Sequence, residues 1–179
     1  MRDELQKTLE TFHTRLTSLS NIMDKAEHEL FPGSDDMGPL LTARMAEDML
    51  PFTHQIVFCC NQPNQFIAWM KDEDVLGADP DPSGFDFPQL KSHISETLAK
   101  LDEAKTCLNP ENLDRDKLIK LPPNNGLTLS GPAYVNDWLM PNFYFHYVTA
   151  YNILRSRGLE IGKANYMAHL IHLVRPLDI

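Results

Sequence analysis

The stretch NDWLMPNFYFHYVTAYNILRSRG, residues 136–158, decides how the rest of this chain is interpreted. Apolar residues occupy nearly every side of it, which is typical of a helix buried among other helices. Asn142, His146 and Thr149 interrupt this pattern, and on a helix their spacing places them on one shared face. An unpaired buried polar group costs about 1–3 kcal/mol, so this polar stripe predicts partners inside the fold.

Two long helices are predicted upstream of that stretch. The first covers residues 5–30, where apolar residues recur in alternating steps of four and three, and Phe31-Pro32-Gly33 ends it. The second is predicted from about residue 40 to residue 70. Pro51 and Pro63 predict kinks or a break in it, because each proline removes one backbone hydrogen bond.

The second predicted helix carries polar side chains next to its apolar seam. Asp48 follows Arg44 by one helical turn and is close enough to pair with it. Asp48 and Gln55 share the stripe beside the seam. They either solvate the outer edge of the helix or face the polar stripe of the last helix.

The remaining elements follow from capping and turn residues. Residues 71–86 are acidic and rich in Pro and Gly, which predicts a surface loop. Asp86 and Gln89 form the pattern of a capping box, so the third helix is predicted to begin there and to end at Asn109-Pro110. Asn125-Gly126 between two apolar runs predicts a β-hairpin.

The fourth helix is predicted to begin with Pro132 near its first residue and to end at Gly158. Pro141 should bend it one turn before His146. The tail from Leu159 onward is partly apolar and predicts a short last helix packed outside. Together these elements predict an all-α four-helix bundle with a small β-hairpin before the last long helix.

Composition limits the partners and the compartment. The 179 residues are 42% hydrophobic, which predicts one domain spanning residues 1–179. The net charge of -9 and the pI of about 5.1 argue against nucleic acid or an anionic membrane, because both require a basic patch. No apolar run approaches the ~20 residues that span a bilayer, and no signal segment is visible. We therefore expect a cytoplasmic protein.

The cysteines fit the same compartment. Cys59, Cys60 and Cys107 are odd in number and form no CxxC pair. Each is predicted to be a small buried hydrophobe.

Two strings in the chain resemble a known family. LTARMAEDMLPFTHQI (residues 41–56) and LMPNFYFHYVTAYNILRSRGLEIGK (residues 139–163) closely resemble an uncharacterised family in the DinB/YfiT-like superfamily. The shared features are the Asp-Met pair, the Pro-Asn-Phe-Tyr-Phe-His start of the last helix and the Gly-x-x-x-Gly-Lys exit. The resemblance covers almost the whole chain and implies an up-down-down-up bundle that is often dimeric.

The resemblance also implies a site. Many superfamily members bind a divalent metal through three histidines, one on the second helix and two, four residues apart, on the last. Some are thiol-dependent transferases or isomerases acting on small molecules. This chain departs from the pattern, since Asn142 and His146 hold the i, i+4 pair and either Asp48 or His54 is the counterpart on the second helix. A neutral amide is a weak ligand, so Zn²⁺ or Ni²⁺ remains only an alternative.

The residues alone leave several roles open for His146. It is a core histidine bonded to Asp48 or Tyr134, an acid, base or anchor in a ligand pocket, or a metal ligand. The preferred hypothesis is a homodimeric bundle that binds a small organic molecule in a polar pocket. There, His146 would act as acid/base with Asp48 as its orienting partner, and the substrate would contact Gln55, Asn142, Tyr134 and Trp138.

Two alternatives accompany that hypothesis. One is a metal-dependent thiol transferase or isomerase, as the resemblance implies. The other is a non-catalytic dimeric interaction module whose polar stripe only sets helix register.

Overall fold

The fold of this chain is taken from a computed structural model that describes residues 1–32, 36–73 and 81–177. Its helices are α1 (Arg2–Leu30), α2 (Gly38–Leu41), α3 (Phe52–Lys71), α4 (Phe87–Cys107), α5 (Gly131–Ala133), α6 (Met140–Ser156) and α7 (Lys163–Tyr166). Its strands are β1 (Lys117–Leu121) and β2 (Asn125–Leu129). A π-helical segment, Tyr134–Leu139, joins α5 to α6, and short 3-10 turns occupy Pro82–Gly84, Pro110–Asp114 and Ala168–Leu173.

Contacts along α4 fix the directions of three long helices. α4 runs antiparallel to α1, because Lys91 near its start pairs with Asp24 at 2.8 Å, close to the end of α1. α4 runs parallel to α3, because the Asn64 amide lies 3.4 Å from the Thr97 hydroxyl and Lys71 at the end of α3 lies 3.6 Å from Glu103.

The fourth long helix is antiparallel to α3. Gln55 near the start of α3 bonds to His146 near the middle of α6, and Trp69 near the end of α3 stacks edge-on against Tyr134. The four long helices therefore run up, down, down and up in chain order. The predicted all-α, up-down-down-up bundle is confirmed.

The first helix follows its sequence pattern closely. Its predicted apolar seam is buried at Leu5, Leu9, Phe12, Leu16, Leu19, Met23 and Ala26. Phe12 is fully buried, with its ring centroid 5.1 Å from Phe143 of α6 and 6.1 Å from Phe66 of α3. Three of the four long helices therefore meet at this ring, which forms part of the hydrophobic core.

The second predicted helix is broken at Pro51, one of the two prolines where the sequence predicts a kink or a break, so its predicted start near residue 40 is wrong. Residues 42–51 are not helical, and α3 begins at Phe52 with Pro51 as its N-cap residue in an extended conformation. The cause is steric, since the residue before a proline is disfavoured in the helical region. Pro63, by contrast, lies inside α3 and does not end it. The Gln62 amide one residue earlier donates to the Phe58 carbonyl at 3.1 Å.

The capping box and the hairpin are both confirmed, with one difference in the turn. Asp86 accepts from the Gln89 backbone N–H while the Gln89 side chain accepts from the Asp86 N–H, both at 2.8 Å. β1 and β2 pair antiparallel, with Leu121 opposite Asn125. Asn125 and Gly126 therefore belong to β2, and residues 122–124 form the turn.

A close contact fixes the start of the last long helix. A Cβ atom at Gly131 would lie 1.7 Å from the Leu113 carbonyl oxygen and 3.0 Å from the Trp69 ring, so only glycine fits there. At the other end, α6 stops at Ser156, and Gly158 takes a left-handed φ of +95° as predicted.

Some predicted features lie outside the described residues or differ from expectation. Residues 33–35 and 74–80 of the predicted loops, and 178–179 of the tail, are outside the described part of the chain. Cys59 and Cys60 are buried as predicted, but Cys107 is exposed because it is the last residue of α4 on its outer side. Within the described ranges, no helix combines the length and apolarity needed to cross a membrane.

Candidate functional site

The polar stripe of α6 meets α3 at one pair of side chains. The His146 Nδ1 atom lies 2.9 Å from the Gln55 Oε1 atom. Gln55 is buried in the first turn of α3, and its Nε2 group donates to the Leu50 carbonyl at 2.8 Å. Two successive hydrogen bonds, Leu50 to Gln55 and Gln55 to His146, therefore link the segment before α3 to the middle of α6.

This chain of hydrogen bonds fixes the tautomer of His146. Because the Gln55 NH₂ group is committed to the Leu50 carbonyl, its Oε1 atom faces the imidazole and can only accept. Nδ1 of His146 must then carry the proton and donate it. In the neutral ring the lone pair is left on Nε2, for which no hydrogen-bond partner is found among the described residues.

Burial keeps that ring neutral. Desolvation lowers the pKa of His146 from 6.5 to about 4. Aromatic rings surround the imidazole, with Phe58 at 5.4 Å and Phe145 at 5.2 Å between centroids, both nearly perpendicular to it. His146 thus presents a neutral, oriented acceptor atom between two phenylalanine rings.

Asp48 does not hold the place expected from the sequence. It is exposed in the non-helical segment 42–51, and Gln55 rather than Asp48 bonds to His146. The cause is the break at Pro51, which takes Asp48 off the helix that carries Gln55. The interpretation of Asp48 as the orienting partner is therefore corrected, and that role belongs to Gln55.

The other two members of the polar stripe bond within their own helix. The Asn142 amide donates to the Trp138 carbonyl at 2.7 Å, just after Pro141, where a backbone N–H is missing. The Thr149 hydroxyl donates to the Phe145 carbonyl at 2.7 Å. Of the three stripe residues, His146 is the one whose side chain has a hydrogen bond to α3 among the described residues.

Tyr134 and Trp138 lie away from this pair. Tyr134 packs against Trp69 at the opposite end of α3, with ring centroids 5.1 Å apart. Twelve residues separate it from His146, or roughly 18 Å of helix, and Trp138 is roughly 12 Å away by the same measure. Burial raises the pKa of Tyr134 to about 12. The predicted substrate contacts at Tyr134 and Trp138 therefore do not join the His146 site.

The residues around His146 do not fit the metal site that the resemblance implies. Among the described residues, no three His, Cys, Asp or Glu side chains come together in a way that could hold a metal ion. The rings of His54 and His146 each pack nearly perpendicular to the Phe58 ring, with centroid distances of 5.7 and 5.4 Å. The side chain that actually meets His146 is the neutral amide of Gln55, a poor ligand for Zn²⁺ or Ni²⁺.

A groove of about 590 Å³ lies at the start of α3. Its walls include Leu50, Pro51, His54 and Phe85, and neither Gln55 nor His146 lines it. The sequence interpretation missed the contribution of Leu50, whose carbonyl orients Gln55. A signal was present, because a polar side chain in the first turn of a helix can fold back onto the residues before it.

Comparison with known proteins agrees with this architecture. The chain is similar to the crystal structure of a DinB family member protein from Shewanella denitrificans, with a TM-score of 0.77 and 27% identity. The similarity covers 99% of this chain and 97% of that one. No curated protein matches the chain. The family described as a domain of unknown function, DUF1993, matches residues 5–167. The chain belongs to the DUF1993 family.

Proposed function

We propose that this protein binds a small organic molecule at His146, with the Nε2 atom accepting a hydrogen bond from a hydroxyl, thiol or amide group of the ligand. The observation that carries the proposal is the orientation of Gln55. Its amide is held by the Leu50 carbonyl and in turn holds Nδ1 of His146 as a donor. The orientation and the tautomer of His146 are therefore already set in the free protein, so less entropy is lost when a ligand binds to Nε2.

The low basicity of the ring favours binding over proton transfer. With a pKa of about 4, roughly one His146 ring in a thousand is protonated at pH 7. A general base works best with a pKa near the working pH. His146 is therefore better suited to anchor a neutral donor than to remove a proton from it.

The apolar part of the ligand would rest on exposed hydrophobic side chains around the Gln55–His146 pair. Phe145 on one side is 57% exposed, and Leu50 on the other is 45% exposed. Large apolar side chains open to solvent beside a prepared polar atom are typical of ligand sites. They support an amphipathic ligand with one hydrogen-bond donor.

The experiment is NMR of protein with ¹⁵N-labelled histidine, titrated with phenol, benzyl mercaptan and benzamide. The free protein should show Nδ1 of His146 protonated and Nε2 bare. At least one probe should shift the Nε2 resonance, and His146→Phe should abolish its binding, while His93→Gln, which changes a half-buried histidine of α4, should not. Absence of any shift with all three probes, or binding unchanged in His146→Phe, overturns the proposal.

The same exposed side chains favour a homodimer as a second proposal. A second copy laid against Phe145 and Leu50 would cover them and close the open side of the site. Phe145→Glu should then convert a dimer to a monomer in analytical ultracentrifugation, with Lys100→Glu on α4 as the control. A parent protein that sediments as a monomer at 100 μM would contradict this part of the proposal and leave the ligand site standing.

The metal-dependent transferase or isomerase is tested in the same titration. Zn²⁺ or Ni²⁺ added to the labelled protein should leave the His146 resonances unchanged, because the contacting amide is neutral. A stoichiometric shift at Nε2 would favour the metal alternative.

A further inference from the structure

A second groove lies on another side of α6, between that helix and α7. It has a volume of about 430 Å³ and is lined by Val148, Tyr151, Asn152, Lys163 and Tyr166. His146 does not line this groove, and Val148, two residues further on, lies about 200° around the helix from it. Phe145 precedes Val148 by three residues and Asn152 by seven, so the groove begins beside Phe145 but is separate from the His146 imidazole. Its volume falls within the range of small-molecule pockets, about 300–1,000 Å³.

Two tyrosine rings form a corner in this groove. Tyr151 and Tyr166 have ring centroids 5.8 Å apart and planes at 77° to each other. Tyr147, which is fully buried, stacks on Tyr166 at 4.8 Å with planes 24° apart. The core thus fixes the position of Tyr166 from behind. An aromatic ring entering the corner would stack on one tyrosine and point its own edge at the face of the other, and both are geometries that aromatic pairs prefer.

The polar groups of the groove favour a negative charge. Lys163 is exposed, and no carboxylate among the described residues lies within ion-pair distance of its ammonium group. Its ammonium group is therefore available to an anionic ligand. Asn152 adds an amide that can donate hydrogen bonds. Aromatic walls beside an ammonium and an amide complement a flat apolar ligand that ends in an anion.

We propose that this groove binds a small aromatic carboxylate, with its ring in the Tyr151–Tyr166 corner and its carboxylate on Lys163 and Asn152. The proposal does not depend on the His146 site. The groove is open on one side, so a ligand of about ten heavy atoms would bind in the millimolar range.

The test uses phenylacetate as the probe and 2-phenylethylamine, which carries the opposite charge on a similar frame, as its matched control. In ¹H–¹³C and ¹H–¹⁵N spectra, phenylacetate should shift the Val148 methyl groups and the Tyr166 amide in a saturable manner. The amine should bind at least fivefold more weakly. No saturable shift with phenylacetate up to 20 mM, or equal binding of both probes, would overturn the proposal.

Two variants locate the interaction within the groove. Lys163→Met keeps the apolar stem of the side chain and removes the charge, so the affinity for phenylacetate should fall about two- to fivefold. Val148→Trp should fill the groove and abolish binding. Lys100→Met, on the exposed face of α4, is the control and should bind phenylacetate as the parent does. Parent-like affinity in Lys163→Met would rule out the assigned role of the ammonium group.

Discussion

Helix α3 packs against α6 and the π-helical segment before it, and the contacts differ between the two ends of this packing. At one end, Trp69 meets Tyr134, and both are almost completely buried. At the other end, Gln55 meets His146, which is only partly buried beside exposed Phe145. The Trp69–Tyr134 end is closed by the turn containing Leu113 and by Gly131. The Gln55–His146 end lies beside the non-helical segment 42–51 and the groove that Leu50 and Phe85 line.

This difference separates a structural contact from a candidate site. The closed end contributes packing, because Trp69 and Tyr134 bury their rings against each other. At the open end, the Nε2 atom of His146 is neutral and oriented, and no hydrogen-bond partner for it is found in residues 1–32, 36–73 or 81–177. Four changes to the chain test this division, from the largest expected effect to the smallest.

Gly131→Ala should destabilise the closed end most. Its Cβ atom would lie 1.7 Å from the Leu113 carbonyl oxygen, so backbone must move, and we expect a loss of roughly 3–5 kcal/mol in the free energy of unfolding. Urea denaturation measures this loss. Gly84→Ala is the control, since nothing lies within 4 Å of its Cβ position, and it should change stability by less than about 0.5 kcal/mol. Equal stabilities would show that the closed end is not tightly packed.

Gln55→Leu should weaken the open end by an intermediate amount. It leaves the Leu50 carbonyl and the Nδ1–H group of His146 without their partner, which costs about 1–3 kcal/mol. The ¹⁵N spectrum of His146 should also show a mixture of tautomers. Gln6→Leu, at an exposed position of α1, is the control and should have little effect. A Gln55→Leu variant that keeps the single tautomer would contradict the orienting role of Gln55.

The pH dependence of stability should report His146. Its pKa is about 4 in the folded state and 6.5 when unfolded, so the unfolded chain binds more protons between these values. The stability linked to this lowered pKa is fully present above pH 6.5. It decreases as the pH falls below 6.5 and is lost as the pH falls through 4. Relative to His146→Gln, the parent should lose roughly 1–2 kcal/mol between pH 7 and pH 4, a figure reduced for the partial exposure of the ring.

The comparison with His146→Gln removes the effect of the carboxylates, which titrate in both proteins. Burial also lowers the pKa of His93, but that histidine is present in both and cancels. Parallel stability curves for parent and variant would show that His146 is not desolvated in the folded protein.

Asp48→Asn should have the smallest effect. Asp48 is exposed and does not contact the Gln55–His146 pair. We expect less than about 0.5 kcal/mol change in stability and an unchanged His146 titration midpoint. A shift of that midpoint in NMR would restore the interpretation of Asp48 as the partner of His146.

Local patterns in the sequence predicted much of the fold. The seam of α1, the capping box at Asp86 and the hairpin each depend on residues near one another in the chain. At the start of α3, the apolar spacing continues through residues 42–51 and predicts helix there, while Pro51 predicts a kink or a break; the structure has the break. The residue before a proline is disfavoured in the helical region, but Pro63 inside α3 shows that this local preference does not by itself decide where a helix ends.

The candidate site was predicted only in part. The polar stripe indicated that His146 must find a partner, and the structure places Gln55 there. The sequence favoured Asp48 as that partner, with Tyr134 as an alternative, and assigned Gln55 to the substrate, because spacing along a helix does not tell where that helix begins. Tyr134 and Trp138 share the aromatic stretch with His146 but lie at other depths along the bundle.

The sequence by itself determined the helical class, the polar stripe on the last helix and the need of His146 for a partner, because periodicity and desolvation act on single elements. Only the tertiary structure decided which partner meets His146, which of its nitrogens keeps a free lone pair and which end of the helix pair stays open. These outcomes depend on how α3 and α6 align and on the carbonyl of Leu50, a backbone group that no side-chain pattern encodes.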